Sequence, residues 1–465
     1  MITLLLAGLI AQAVAPDMAP AASATVEARP SASRSSPLQA RIDMAAPGST
    51  IDVDAAVYHG DLYIDRAVRL VGHGRPRLVG SGAGSVVLIR ADDVRIEGFE
   101  IDGRGGGDLG RDSSGIHVAG RRAVIRDCGI VNTLFGIYLR EADGARVERT
   151  RVRGIRTKAA GEKGSGIHVW NTSHFELLEN DIADVRDGVY IQSSPFGTIR
   201  GNVARDLRYG LHYMYSDDNV FEDSLFENGD AGTAVMYSRR LTFRRNRFLR
   251  NRGFASVGLL LKTCDDVLAE HNLIADNARG VFLEGSARTR ITENVIAGSD
   301  VALVIYDSAT ETRVTGNSFV GNLTPLELSG RRTDTVFDGN YWSGNDSLDL
   351  DGDGRTDEPY RLAGLFDHLR TNLTAADLMS RSLGATVVAA AERALPVLDP
   401  VPVFDRSPLA RSPRLPVPVR GTDGAPAGPV RGGLLLAGIM FGGSALVLSA
   451  RRRVSVRPRA GGDAP

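Results

Sequence analysis

Cysteine is nearly absent from this chain: among 465 residues only Cys128 and Cys264 occur, and they lie far apart. Two isolated cysteines cannot build a disulfide framework or a cysteine zinc site, so both are excluded. We predict that the two thiols are packed in a core, because free cysteine is among the most buried residue types.

An excess of charge of either sign is also missing, since the formal net charge is −1. A near-neutral chain gives no reason to expect nucleic acid as a partner.

Long apolar runs lie near the two ends. Residues 1–15 hold an apolar stretch followed by Ala-x-Ala sites, the pattern of a secretory signal.

The second apolar run, residues 432–450, is uncharged over 19 residues and is followed at once by three arginines. About 20 apolar residues cross a membrane, and basic residues favour its cytoplasmic side. We therefore predict an exported protein on the outer face of the cytoplasmic membrane, one C-terminal transmembrane helix over 432–450, and a cytoplasmic tail over 451–465.

The repeat units of the part between the ends contain no ten-residue amphipathic helix and no leucine-rich repeat pattern. Instead, glycine is abundant, with 53 residues, and short apolar quartets recur every 21 to 30 residues. The quartets are GIHV at 115, GIYL at 136, GIHV at 166, GVYI at 188 and GLHY at 210. A second marker keeps the same period, with Ser224 filling one gap: Asn180, Asn202, Asn246, Asn272, Asn294, Asn317 and Asn340.

Self-similarity at this period indicates a solenoid. Alternating runs of Val, Ile, Phe and Tyr between Gly and Asn favour strands over helices. We predict an all-β, right-handed, single-stranded parallel β-helix over residues 46–345, in which the asparagines form a hydrogen-bonded ladder inside the stack.

The flanks are predicted from composition. Residues 16–45 are rich in Ala, Pro and Ser and indicate a flexible leader, and the Pro-rich residues 396–431 indicate an extended linker. Residues 346–395 are predicted to hold an Asp-rich loop and capping helices. One short helix over 374–383 begins with a capping-box pattern and would cover the last coil.

The quartets also predict which side chains face outward. In GIHV the Ile and Val must face the core, so the residue between them faces out. That column reads His117, Tyr138, His168, Tyr190, His212 and Ala234 down successive coils. Two positions further along, on the same face, stand Trp170, Gln192, Met214 and Met236.

Met214 and Met236 should therefore sit one coil apart, about 5 Å, with His212 beside them and His168 two coils away. Thioether and imidazole ligands suit Cu(I), so we predict an outward, solvent-open copper site made by His212, Met214, Met236 and His168. The alternative is a strand register shifted by one residue, which would turn both methionines into the core as ordinary filler.

A separate acidic cluster lies in DLDGDGRTDEPY, residues 349–360. The residues Asp349, Asp351, Asp353 and Asp357 occupy positions 1, 3, 5 and 9 of a calcium loop, with Gly354 at position 6. Position 12 is Tyr360 instead of the usual glutamate, so a solvated acidic turn is the alternative to calcium.

Several segments together resemble one known family. GLHYMYSDDN at 210, AGTAVMYS at 231 and VFDGNYWSGN at 336 are similar to the NosD proteins, periplasmic accessory factors for maturation of nitrous oxide reductase. The resemblance implies a non-enzymatic β-helix that works with an ABC transporter permease and ATPase and with a copper chaperone. Together they would supply copper or sulfur for the reductase's copper–sulfur cluster. The family's copper-binding role falls on His212, Met214 and Met236.

Two other function classes stay open. Parallel β-helices also carry polysaccharide lyases, hydrolases and epimerases, which need paired carboxylates in a groove. No such pair stands at matched positions among Asp112, Asp127, Asp187, Asp217, Asp218 and Asp307. A passive adhesin or scaffold would need no preference among residues in the outward column.

Overall fold

A computed structural model describes residues 37–253, 256–329, 333–362 and 403–413. The predicted signal peptide, the helix at 374–383, the transmembrane helix at 432–450 and the tail at 451–465 lie outside these residues. Within them, the one α-helix has eight residues, and no helix is both long and apolar enough to cross a membrane.

The described elements are one α-helix, two 3₁₀ helices (Leu109–Arg111 and Ala160–Glu162) and forty short strands. In chain order they are α1 (Pro37–Met44), β1 (Thr50–Val53), β2 (Val57–His59), β3 (Leu62–Ile64), β4 (Arg69–Gly72), β5 (Arg77–Val79), β6 (Val87–Ile89), β7 (Arg95–Glu97), β8 (Glu100–Asp102), β9 (Ser114–Val118), β10 (Val124–Arg126), β11 (Gly129–Val131), β12 (Phe135–Arg140), β13 (Arg146–Glu148), β14 (Arg151–Arg153), β15 (Ser165–Trp170), β16 (Glu176–Leu178), β17 (Asp181–Ala183), β18 (Asp187–Gln192), β19 (Thr198–Arg200), β20 (Val203–Arg205), β21 (Tyr209–Met214), β22 (Val220–Glu222), β23 (Leu225–Glu227), β24 (Ala231–Arg239), β25 (Thr242–Arg244), β26 (Arg247–Leu249), β27 (Val257–Asp265), β28 (Leu268–Glu270), β29 (Leu273–Ala275), β30 (Arg279–Glu284), β31 (Arg290–Thr292), β32 (Val295–Ala297), β33 (Val301–Tyr306), β34 (Arg313–Thr315), β35 (Ser318–Val320), β36 (Thr324–Ser329), β37 (Val336–Asp338), β38 (Tyr341–Trp342), β39 (Tyr360–Arg361) and β40 (Phe404–Asp405).

The strands stack into a parallel β-helix of about 13 coils, which confirms the predicted all-β solenoid. Every third strand joins the same sheet, so β1, β4, β7 and their successors form sheet 1, β2 onward sheet 2, and β3 onward sheet 3. Pairing is parallel throughout, apart from the antiparallel contact of β39 with β40 at the end. Equivalent residues of successive coils therefore lie directly above one another.

The core is the lumen of the coil, filled by the inward residue of each alternating strand. Like residues stack there, as when Phe221 lies on Phe243 with ring centroids 4.6 Å apart. Cys128 and Cys264 are both buried, as predicted. Burial raises the pKa of Cys128 to about 11 and that of Cys264 to about 12, which keeps both thiols protonated at neutral pH.

The predicted asparagine ladder is present at the corner between sheets 1 and 2. Asn272 shows the repeating pattern: its backbone N–H and its Nδ2 both donate to Asn294 Oδ1 of the next coil, each at 2.9 Å. Ser224 holds its predicted place, accepting from Asn202 N–H and donating its own N–H to Asn246 Oδ1. The ladder satisfies polar groups that would otherwise be buried without partners.

Helix α1 covers the N-terminal end of the stack, so the predicted flexible leader over 16–45 is wrong for its last residues. Leu38 and Ile42 of α1 are fully buried on the first coil. The Gln39 side chain donates to Tyr63 O at 2.9 Å and accepts from Tyr63 N–H at 2.8 Å. This side-chain amide thus replaces the missing neighbouring strand at an otherwise open sheet edge.

The C-terminal end is covered by residues 403–413, so the predicted extended linker over 396–431 is wrong there. Asp405 is fully buried and stands where the next ladder residue would be. Its Oδ2 accepts from Asn340 N–H, Asn340 Nδ2 and Trp342 Nε1 at 2.8–3.0 Å, and its Oδ1 accepts from Gly339 N–H at 3.1 Å. An ionised carboxylate accepts hydrogen bonds but donates none. Asp405 can therefore end the asparagine ladder, whose last member, Asn340, still has N–H donors to satisfy.

Candidate functional site

The outward column of sheet 3 has the predicted register. His117, Tyr138, His168, Tyr190, His212 and Ala234 are successive partners across β9, β12, β15, β18, β21 and β24. The first four rings stack nearly parallel, with centroids 4.3–5.1 Å apart and interplanar angles of 7–18°. The column is therefore a packed stack of rings whose edges face away from the lumen.

The two methionines are direct partners on β21 and β24. The inward residues of these strands, Tyr213 and Val235, belong to the central core, whereas Met214 and Met236 do not. The alternative register, with both methionines in the lumen, is thus wrong. However, Met214 is only 5% exposed and Met236 only 2% exposed, so the expected solvent-open surface is wrong as well.

Charged and polar groups bracket the methionine pair within its own column. Gln192 is the partner of Met214 on the preceding strand, and Lys262 is the partner of Met236 on the following one. The ammonium of Lys262 lies 3.0 Å from the Glu284 carboxylate. Because that charge is paired, it adds little repulsion toward a cation bound at the sulfur atoms.

His212 breaks the regular ring stack. Its plane is turned by 81° relative to Tyr190, although the centroids are only 4.7 Å apart. Its Nδ1 lies 3.4 Å from Oδ2 of Asp187, which is fully buried at the start of β18. Burial pushes the pKa of Asp187 up, but hydrogen bonds from His212 and Arg208 outweigh it and keep the pKa below its ordinary value.

His168 lies in the same column but not beside the methionines. The Tyr190 ring stands between His168 and His212, 4.3 Å from the former. His168 is three coils from Met236, about 14 Å at the usual strand spacing. Burial between the tyrosine rings lowers the pKa of His168 to about 3, and its Nδ1 has no hydrogen-bond partner. The imidazole is therefore neutral but separated from the thioethers.

His117 is the first ring of the column on sheet 3. It is 6% exposed, and burial lowers its pKa to about 4 from an ordinary 6.5. The unfolded chain binds this proton below pH ~6.5 and the folded one only below pH ~4, so stability is lost as the pH falls between them. We expect His117→Phe to remove roughly 2 kcal/mol of the loss between pH 7 and pH 5 in urea unfolding. A matched variant of the exposed His59, His59→Gln, should leave that loss unchanged; an equal loss in the native protein and in His117→Phe would contradict the assignment.

The acidic loop brings three of its four predicted ligands together. Oxygen atoms of Asp349, Asp351 and Asp353 lie within 4.8 Å of one another, the only such group of three or more His, Cys, Asp or Glu in the described residues. Asp357 is not in this group, and its Oδ2 accepts from Leu350 N–H at 2.7 Å. The loop also contacts the C-terminal cap, since Thr356 N–H donates to Pro408 O at 2.8 Å.

The carboxylates that a sugar-cleaving site would need are mostly committed to arginines. Such ion pairs join Asp127 to Arg149, Asp187 to Arg208, and both Asp217 and Asp218 to Arg240. Asp112 differs, because burial raises its pKa and its oxygen lies 4.0 Å from Arg140 Nη1. A single carboxyl group with a raised pKa does not make the pair of carboxyl groups that glycosidic chemistry requires.

Sequence reasoning missed Asp187 as part of this site. Its position one coil before His212 follows from the repeat, because Asp187 and Tyr209 are partners in register. The repeat period does not predict that the His212 ring is rotated toward that carboxylate.

Comparisons with known proteins agree with this architecture. Residues 147–347 match a family model described as "NosD: Periplasmic copper-binding protein (NosD)". Two relatives, from Pseudomonas aeruginosa and Stutzerimonas stutzeri, are each named "Probable ABC transporter binding protein NosD". The first is 29% identical over 29% of this chain and 32% of the relative, and the second is 27% identical over 55% and 56%.

Two solved structures share the fold. The A-modules of the Azotobacter vinelandii mannuronan C-5 epimerases AlgE6 and AlgE4 align with TM-scores of 0.55 and 0.53. Each alignment covers 64% of this chain and 92% or 94% of the module, at 17% and 16% identity.

The fold defines a parallel β-helix protein that carries a column of aromatic and imidazole rings and a pair of methionines on the outward side of sheet 3. With the family match and the two relatives, the chain is a NosD-like β-helix protein.

Proposed function

We propose that this protein binds Cu(I) on sheet 3 and handles it as cargo in the periplasm. The observation that carries the proposal is the register that places Met214 beside Met236, with His212 two residues from Met214 on the same face. Two thioethers and one imidazole form a soft donor set, which suits Cu(I) better than Mg²⁺, Ca²⁺ or Mn²⁺.

The surroundings of the donors support this choice. Both thioethers are shielded from solvent, and the groups that surround a metal site control solvent access to a bound metal. The carboxylate of Asp187 faces one nitrogen of His212, the usual arrangement behind a metal-binding imidazole. The thiols of Cys128 and Cys264 are buried and protonated, so they do not compete as ligands.

The partners follow from the family rather than from the geometry. The relatives are named ABC transporter binding proteins, and we infer that this chain works with the permease and ATPase of such a transporter. We further propose that a copper chaperone loads the site and that nitrous oxide reductase receives the copper. Residues 432–450 would anchor the exported protein in the membrane.

Binding of Cu(I) by the intact protein tests the proposal, measured by competition with a chromophoric Cu(I) chelator in the absence of oxygen. We expect one ion per chain and a dissociation constant at least about 10-fold weaker in His212→Phe, because that variant removes one of three ligands. His168→Phe keeps a ring in the stack and should change the constant less than about twofold.

No Cu(I) binding by the native protein would overturn the proposal. A larger effect of His168→Phe than of His212→Phe would place the ion at another point of the ring column.

We also propose that the acidic loop binds Ca²⁺ through Asp349, Asp351 and Asp353. The specific observation is that oxygen atoms of these three carboxylates lie within 4.8 Å of one another. The loop also contacts the C-terminal cap, where Gly354 O accepts from Ala410 N–H at 3.0 Å. A ligand at 100 times its dissociation constant stabilises the folded state by about 2.7 kcal/mol, so Ca²⁺ should raise the unfolding midpoint.

The double variant Asp351→Asn/Asp353→Asn should abolish the Ca²⁺ effect and leave Cu(I) affinity unchanged, and the exposed Asp346→Asn serves as the matched control. Equal stability with Ca²⁺ and with a chelator would leave the loop as a solvated acidic turn.

A further inference from the structure

We propose that Asp187 is a positioning residue that holds His212 as its Nδ1–H tautomer and leaves Nε2 as the nitrogen for copper. The inference rests on the proposed function, because it names the second residue on which that site depends.

The first observation is the contact itself. Asp187 is 0% exposed, and its Oδ2 lies 3.4 Å from Nδ1 of His212, whose side chain is 14% exposed. A carboxylate without a proton can only accept, so the nitrogen that faces it carries the hydrogen. In a neutral imidazole the other nitrogen then has the free lone pair that a metal needs.

The second observation is the fixed place of the carboxylate. Arg208 holds both oxygens of Asp187, through Nε–Oδ1 at 2.9 Å and Nη2–Oδ2 at 2.8 Å. Arg186 Nε adds a third contact at 3.2 Å to Oδ2. This two-pronged arginine contact fixes the direction from which the carboxylate approaches the imidazole.

The third observation is the orientation of the ring. Every other neighbouring pair in the column, from His117 to Tyr190, is stacked within 18° of parallel. His212 lies at 81° to Tyr190 and at 79° to Tyr209. Stacking alone would have continued the column, whereas the His212 ring is turned so that its Nδ1 faces Asp187.

The direction of the contact also fits the methionine pair. Asp187 is in register with Tyr209, three residues before His212, whereas Met214 lies two residues after it. At about 3.3 Å per residue, the Asp187 carboxylate and the Met214 side chain lie on opposite sides of His212 along the strand direction.

The native protein without metal allows the first test. Nitrogen-15 NMR of histidine-labelled protein, recorded over a series of pH values, should show the neutral form of His212 as the Nδ1–H tautomer. A His212→Phe sample assigns the signal. Observation of the Nε2–H tautomer would overturn the inference whether or not the protein binds copper.

A variant then tests the consequence for copper. Asp187→Asn should weaken Cu(I) binding about 10- to 100-fold, the usual effect of removing such an outer partner, and should shift the tautomer balance of His212. The matched control is Asp181→Asn, because Asp181 also pairs with arginines, namely Arg151, Arg153 and Arg205, and has no ion pair with a histidine among the described residues. An unchanged Cu(I) affinity in Asp187→Asn would reject the positioning role while native copper binding stood.

Failure of the proposed copper binding and failure of the positioning role of Asp187 give different results. A native protein that binds no Cu(I) overturns the proposed function, and the tautomer measurement still decides what Asp187 does to His212. If Asp187→Asn does not fold, the spectrum of the native protein alone decides the inference.

Discussion

Replacing both methionines by leucine, as Met214→Leu/Met236→Leu, should weaken Cu(I) binding by about 100-fold or more, which is about 2.7 kcal/mol. The variant removes both sulfur ligands and leaves only the His212 imidazole. Leucine has nearly the volume of methionine, so each replacement should cost less than about 1.5 kcal/mol of folding stability. Anaerobic chelator competition measures the affinity, and circular dichroism checks the fold.

The control for this variant is Met44→Leu, which removes a thioether that is 80% exposed at the end of α1. We expect native Cu(I) affinity from that protein. If the double variant binds Cu(I) as tightly as the native protein does, the methionine pair is hydrophobic packing on the outer wall and the copper site lies elsewhere.

The second large effect is expected at the C-terminal cap. Asp405→Ala would leave five N–H groups without this acceptor: the four buried ones of the Gly339 and Asn340 backbones, Asn340 Nδ2 and Trp342 Nε1, and the half-buried backbone N–H of Ser407. Each buried donor left unsatisfied costs about 1–3 kcal/mol, and relaxation of the last coil lowers the sum, so we expect about 4 kcal/mol. Terminal coils contact only one neighbour, so unfolding should begin there.

Hydrogen exchange measures this directly. In Asp405→Ala, amides of β37 and β38 should exchange much faster, while those of β21 and β24 keep their protection. Asp338→Ala is the matched control, because Asp338 lies at the end of β37 with its side chain 53% exposed. Unchanged protection of β38 in Asp405→Ala would show that the returning segment does not stabilise the last coil.

The repeat made much of the fold predictable. The Gly and Asn markers share one period, and stacked coils with a parallel register follow from that period alone. Because strand side chains alternate strictly, the quartets also predicted which residues face outward, and hence that Met214 and Met236 are neighbours.

The caps were not predictable in the same way. Residues 37–44 and 403–413 do not repeat, and their composition is that of linkers. Their role depends on a few contacts: Leu38 and Ile42 cover one end, and Asp405 continues a ladder from 65 residues further along the chain than Asn340. A single contact between residues so far apart in the chain leaves no periodic pattern in the sequence.

Periodicity likewise did not predict the details of the site. Alternation gives the face of Met214 but not its exposed fraction, which depends on everything that packs over that face. It gives the column of His212 but not the 81° turn of its ring toward Asp187. Both depend on side-chain rotamers and on neighbours from other coils.

X-ray absorption at the copper edge of the Cu(I)-loaded protein tests the central claim most directly. Met214, Met236 and His212 predict two sulfur neighbours and one imidazole nitrogen around each copper atom, with the sulfur signal lost in Met214→Leu/Met236→Leu. A first shell of nitrogen or oxygen atoms alone, the same in native and variant protein, would contradict it.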